Sequence, residues 1–131
     1  MQYLLTIYMD ESAAGDATPE QRTQTMEAYN ALTEEIKQAG AFLGGEGLQP
    51  TSTATTVRVR DGEPLLTDGP FAETREQLAG FYLVECADLD EAVRWAGKIP
   101  TAAFGSVEVR PVIDYEGRVA RAKADGAAAH A

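Results

Sequence analysis

The sequence is poor in the residue types that most often advertise a chemistry. It has one cysteine, Cys86, and one histidine, His130, among 131 residues. A single cysteine excludes an internal disulfide framework, and the chain has no Cys/His spacing suited to a structural metal. No glycine-rich phosphate cradle and no Ser-His-Asp set is present, so neither a metal nor a nucleotide cofactor is expected. Long apolar runs are missing too. The longest fall well short of the ~20 residues that span a bilayer, so no membrane partner is expected. No basic stretch leads into an apolar one at the start, as a secretory signal would require, and a cytoplasmic setting is the default expectation. Basic charge is scarce: 11 Lys and Arg stand against 21 Asp and Glu, for a net charge of -10. Such a surface repels phosphate backbones, which argues against a nucleic-acid partner.

What remains is a globular composition, 44% hydrophobic, at a length suited to one domain. Residues 2–9 (QYLLTIYM) read as a strand with Tyr3, Leu5, Ile7 and Met9 on one face and Leu4, Thr6 and Tyr8 on the other. Thr18-Pro19-Glu20-Gln21 opens a helix with an N-cap, a proline at N1 and a capping-box glutamine. Met26, Tyr29, Leu32 or Thr33, and Ile36 follow at helical spacing, and Gly40 occupies the C-terminal left-handed position. Residues 41–48 form a second strand loosened by Gly44, Gly45 and Gly47, which mark a bulge or a close approach of backbone or ligand.

Residues 52–60 alternate cleanly, setting Thr53, Thr55, Val57 and Val59 against Ala54, Thr56, Arg58 and Arg60. Asp61-Gly62 is a type I′ hairpin signal, with 64–67 as the returning strand. Residues 80–87 form another strand, which contains Cys86. Residues 88–91 (DLDE) start a second helix whose expected buried stripe is Leu89, Val93, Ala96 and Ile99. Residues 106–114 are the last strand, and the stretch from Tyr115 onward, without a packing pattern, is expected to fray.

The order β-α-β-β-(β)-β-α-β predicts an α+β fold, a ferredoxin-like split βαβ with an extra β-hairpin. Both helices then cover one sheet face. The other, carrying Leu4, Thr6 and Tyr8, is left open and is expected to be buried by a second copy.

The run from Thr67 to Thr74 (TDGPFAET), continuing through Glu76-Gln77-Leu78 and Gly80-Phe81-Tyr82, resembles the hallmark of the DGPF group of YCII-related proteins. The likeness extends to residues 43–50 (LGGEGLQP), 54–58 (ATTVR) and 105–111 (GSVEVRP), and covers residues 1–114 in order. The resemblance implies a dimeric α+β barrel, two ferredoxin-like sheets facing each other around a cavity. It implies no defined activity: members of the group are mostly uncharacterised and often encoded beside extracytoplasmic-function sigma factors. Wider YCII-related proteins are thought to use a His-Asp dyad, and one relative is a dehydrochlorinase. Here the chain departs, because His130 is its only histidine and Phe104 stands before Gly105 where similar sequences often carry one.

The candidate site residues follow. In the DGPF loop, Asp68, Gly69 and Pro70 either build a structural corner or present Asp68 and Glu73 to a cavity with Phe71 as its apolar wall. Asp68 is the best candidate for a proton-transfer group, a role that would need burial to raise its pKa. Arg58, Arg60, Glu108 and Arg110 form either surface ion pairs or a lining that selects an anionic or polar ligand. Tyr8 supplies either interface packing or a hydroxyl. Cys86, with no basic neighbour in sequence, reads as a buried inert thiol, and Trp95 as packing.

Two functional classes stand: a protein that binds or transforms a small polar molecule in the barrel cavity, or a non-catalytic dimeric partner module tied to a sigma-factor pathway. Both require a homodimer. Sedimentation at micromolar concentration should give twice the chain mass, and a monomer there overturns the expectation.

Overall fold

β1 (Gln2–Met9) is an inner strand of a four-stranded antiparallel sheet, ordered β2-β5-β1-β6, in a computed structural model that describes residues 1–117, 123, 124 and 126. Its alternation is the one the sequence predicts: Tyr3, Leu5 and Ile7 are buried, while Leu4, Thr6 and Tyr8 are half-buried on the opposite face. β5 (Gln77–Glu85) pairs on one side, with Leu5 opposite Tyr82 and Tyr3 opposite Val84. β6 (Ser106–Pro111) pairs on the other, with Leu5 opposite Val109. β2 (Phe42–Gly47) closes the sheet beyond β5. β1 and β2 are joined by α2 (Pro19–Gln38), and β5 and β6 by α3 (Leu89–Lys98). Each crossover skips one strand, so this is the ferredoxin-like split βαβ.

Local chemistry sets the helix ends. Thr18 accepts from the Gln21 amide at 3.1 Å, and the Gln21 side chain accepts from the Thr18 amide at 2.9 Å, completing the capping box. At the other end Gly40, with φ 74°, allows its own amide to reach the Lys37 carbonyl (3.0 Å) and the Ala41 amide to reach that of Ile36 (3.1 Å). This is the paired closure of a Schellman motif. α3 is capped by Asp88, which accepts from the Glu91 amide at 2.9 Å.

The core is one cluster between the sheet and the two helices, with Leu5, Ile36, Val84 and Ile99 fully buried at its centre. Each such side chain contributes about 1.5–3 kcal/mol of transfer free energy. The stripe of α3 is buried as expected at Ala96 and Ile99, but it runs through Ala92, beside half-buried Trp95, whereas Leu89 and Val93 are exposed. Helical periodicity admits either register. The small alanines win because α3 lies close over β1 and β6. Cys86 is a buried free thiol, and burial pushes its pKa up, in keeping with an inert role.

Between β2 and β5 the chain leaves the sheet. A 3₁₀ turn (Thr51–Thr53) leads into β3 (Thr55–Arg60), which pairs with β4 (Glu63–Asp68) as a separate two-stranded hairpin. Asp61 (φ 52°) and Gly62 (φ 76°) take the left-handed conformations a type I′ turn needs. Val57 lies opposite Leu66 and Val59 opposite Pro64, so one hairpin face is apolar, yet Val57, Val59 and Leu66 are exposed. Expected from alternation to face the core, these residues reach no core because the hairpin does not join the main sheet. Most of the stretch after Tyr115 that is expected to fray, residues 118–122, 125 and 127–131 with His130, lies outside the described residues.

The β2–β5 pairing depends on glycine. A Cβ on Gly80 would stand 2.7 Å from the Glu46 carbonyl oxygen and 3.2 Å from the Gly47 Cα, whereas one on Gly47 would meet nothing within 4 Å. Gly80→Ala should therefore cost about 1–3 kcal/mol in urea denaturation, and Gly47→Ala less than ~1 kcal/mol. Equal losses would show that the close approach is not what requires Gly80.

Candidate functional site

The helical stripe of α2 divides in two. Its second half, Leu32 and Ile36, is buried in the core, but Tyr29 is only half-buried and Met26 is 64% exposed. Below the first half the sheet offers little to pack against, because Gly47 and Gly80 face each other across β2 and β5 on the core-facing side of the strands. Side chains that would fill this volume are absent from the sequence, and a cavity of about 890 Å³ remains.

Four parts of the chain wall it. α2 contributes Arg22, Met26, Tyr29 and Thr33, and the sheet contributes Ile7, Phe42, Tyr82 and the glycine backbone. The turn after α3 brings Thr101 and Phe104. The fourth wall is α1 (Glu11–Ala14) and the residues after it, which present Ala13, Ala14 and Ala17. The sequence reads 10–17 only as a polar loop, but it is tied down. The Glu11 carboxylate accepts from the Thr51 amide (2.8 Å) and hydroxyl (2.7 Å), and the Glu11 amide donates to the Gln77 side chain at 2.9 Å. Asp10 caps α1 by accepting from the Ser12 amide and hydroxyl, and these bonds hold its pKa below the ordinary value.

The lining is largely apolar, with its polar groups in two places. Asp16, Arg22 and Glu46 supply the charge. A set of hydroxyls lies against the core: Tyr29 contacts Thr101 oxygen to oxygen at 2.5 Å, and Tyr82 contacts Thr33 at 2.8 Å. The two tyrosine rings stack with centroids 6.5 Å apart and planes 20° apart. Burial pushes the Tyr29 phenol above its ordinary value of 10.0, partly opposed by its hydrogen bonding to Thr101. Tyr29 is therefore a neutral hydroxyl at physiological pH.

None of the candidate ligand-binding residues Tyr8, Arg58, Asp68, Phe71, Glu73 and Arg110 lines this cavity. Asp68 is exposed at the end of β4. The corner after it is held instead by the Gly69 amide donating to the Ala54 carbonyl (2.7 Å) and the Thr56 hydroxyl donating to the Gly69 carbonyl (2.8 Å), with Gly69 at φ 95°. Phe71 is 78% exposed, and Glu73 and Arg58 are exposed on the same hairpin side of the chain. Tyr8 and Arg110 lie on the open sheet face. There Arg110 binds Glu108 at 2.6 Å, an ion pair along one strand that raises the arginine pKa. Within one chain, no hydrogen bond or ion pair among the described residues joins the hairpin candidates to Tyr8 or Arg110. The strand glycines are the sequence signal that did point to the cavity; Tyr29, Thr101 and Arg22 carried none.

A ferredoxin-like α+β domain with a cavity between its first long helix and its sheet defines the class. The sequence profile of the YCII-related domain matches residues 1–116, and the chain belongs to that family. It is similar to an uncharacterised protein of Rhizobium meliloti (strain 1021), 41% identical over 118 residues that span 88% of this chain and 95% of the relative. Among the described residues no helix is long and apolar enough to cross a membrane, and no cluster of three or more His, Cys, Asp or Glu could hold a metal.

The raised Tyr29 pKa has a measurable consequence. Its stabilising effect is fully present below the unfolded phenol value near 10 and is lost as pH rises through the higher folded value. Urea denaturation at stepped pH from about 8 to 11 should show stability falling at the alkaline end, and less steeply in Tyr29→Phe. Identical slopes would show that Tyr29 is not the group held neutral.

Proposed function

We propose that this YCII-related protein binds a small, largely apolar molecule in the cavity between α2 and the sheet. The observation that carries the reading is the volume itself. About 890 Å³ lies within the range of small-ligand sites, and its lining pairs an apolar wall with a few convergent hydroxyls. Any proton transfer there falls to tyrosine or carboxylate, since no histidine occurs in residues 1–117. This moves the ligand from a cavity between two sheets, lined by Asp68, Tyr8 and the arginines, to one within a single chain. It also changes the ligand from polar to mainly apolar.

A second reading keeps the homodimer and the partner-module role. It is favoured by the exposed apolar residues of the hairpin and its loop, Val57, Val59, Leu66 and Phe71, together with the open sheet face of Leu4, Phe81 and Leu83. A two-stranded hairpin is marginal on its own in water, so a surface of this kind is suited to burial against another protein. In that reading the dimer forms through the open sheet face, as a dimeric α+β barrel, and the hairpin contacts a partner. The sigma-factor pathway link belongs to this reading, and its one support is the likeness to the DGPF group.

The test fills the cavity without disturbing the fold. Gly47 faces it with open space where a side chain would begin, so Gly47→Leu should project into the volume. Titration with the neutral dye 1-anilinonaphthalene should show saturable fluorescence and a raised thermal midpoint in the native protein, and at least about tenfold weaker binding in Gly47→Leu. Equal binding by a folded Gly47→Leu places the dye elsewhere and overturns the cavity reading.

A further inference from the structure

The hydroxyls along the cavity wall can be resolved by counting their protons. Thr33 has one hydroxyl proton, and it goes to the Tyr29 backbone carbonyl at 2.8 Å. Tyr82 has acceptors for its own proton in the Thr33 oxygen (2.8 Å) and the Tyr29 carbonyl (3.5 Å). Both protons of that pair are engaged within the protein. The other pair is different. Tyr29 and Thr101 hold two hydroxyl protons and share one oxygen–oxygen contact, which engages only one of them. Among the described residues neither hydroxyl makes a second hydrogen bond.

The position of the pair makes that leftover proton consequential. Thr101 is 3% exposed, and both residues line the cavity. A buried donor without an acceptor carries a desolvation cost, and such groups are scarce in folded proteins. Either hydroxyl of the pair can be the donor in their 2.5 Å contact. Whichever of the two donates, the pair keeps one hydroxyl proton free at the cavity wall.

We propose that the Tyr29–Thr101 pair anchors the ligand, and that the ligand carries a carbonyl oxygen, as in a ketone, ester or amide, at one end of an apolar body. The inference rests on the cavity reading above and adds to it which atom the cavity seeks. A hydrogen-bond acceptor is required because the pair has a proton to give. A neutral acceptor fits better than a carboxylate, because Arg22 is outnumbered in the lining by Asp16 and Glu46 and the whole chain carries -10. The apolar body follows from the aliphatic and aromatic wall of Ile7, Met26, Phe42 and Phe104.

The experiment compares two probes of matched shape, 2-acetylnaphthalene and 2-ethylnaphthalene, which differ in the carbonyl oxygen. Each is titrated as a competitor of the bound anilinonaphthalene dye, in the native protein, Tyr29→Phe and the double variant Tyr29→Phe/Thr101→Val. Circular dichroism confirms that each variant is folded. In Tyr29→Phe the ketone should bind about five- to tenfold more weakly, the effect of one ordinary hydrogen bond, while the hydrocarbon changes by less than about twofold. Loss seen only in the double variant assigns the donated proton to Thr101 and still supports the pair as the anchor. A ketone affinity unchanged in both variants overturns the inference while leaving the cavity reading intact. If neither probe displaces the dye from the native protein, the cavity reading falls and the inference with it.

Discussion

Gly80 and the backbone of β2 approach each other so closely that no Cβ fits between them, and much of the molecule follows from that contact. The Glu46 carbonyl oxygen stands 2.7 Å from where a Gly80 side chain would begin. At Gly45 the same crowding comes from the Tyr82 ring, 2.8 Å from where a Cβ would stand. These glycines let β2 hold its register beside β5 through the bulge that follows Phe42. They also strip the sheet of side chains under the first half of α2. With no side chains there to meet its apolar stripe, α2 fully buries only Leu32 and Ile36 and leaves Met26 exposed. The cavity is the volume left over. Its existence and the stability of the β2–β5 pair rest on the same residues.

Around this gap the protein concentrates its internal polar contacts. The Thr33–Tyr82 pair joins helix to sheet, and the Tyr29–Thr101 pair joins helix to the turn after α3. Both bridges cross the boundary where packing alone stops. Glu11 does similar work on the outer wall by gripping Thr51, so a four-residue helix too short to be stable alone keeps its place. The charged groups elsewhere are of less consequence to the fold. Pairs such as Glu34 with Lys37 and Glu35 with Lys98 lie on exposed helix surfaces, where their net contribution is small.

The hairpin presents a different problem. β3 and β4 carry an apolar face that one chain leaves in water, and the DGPF corner that follows is fixed by backbone bonds at Gly69 rather than by the Asp68 side chain. Phe71 leaves that corner outward. The rigidity that singles this loop out in the sequence is real. In one chain it serves to turn the backbone from the hairpin toward β5, not to mount a carboxylate in the cavity.

Local chemistry was legible in the sequence wherever a residue's role depends only on its near neighbours. The capping box of Thr18 and Gln21, the left-handed Gly40, the Asp61-Gly62 turn and the two faces of β1 all follow from a few adjacent residues, and with them the ferredoxin-like order of elements. The sequence also carried the family likeness, through the blocks around the DGPF loop. It could not decide which register of α3 faces inward, because Leu89/Val93 and Ala92/Ala96 satisfy the same periodicity. Nor could it show that Val57 and Val59 lack a core, since alternation reports two faces and not what covers them. The cavity was the least legible feature. Tyr29 and Thr101 are 72 residues apart, and nothing in either neighbourhood announces their contact. Only the tertiary structure brings helix, glycine backbone and turn together, because a cavity is defined by side chains that are missing across a space, and a one-dimensional string does not record what lies opposite.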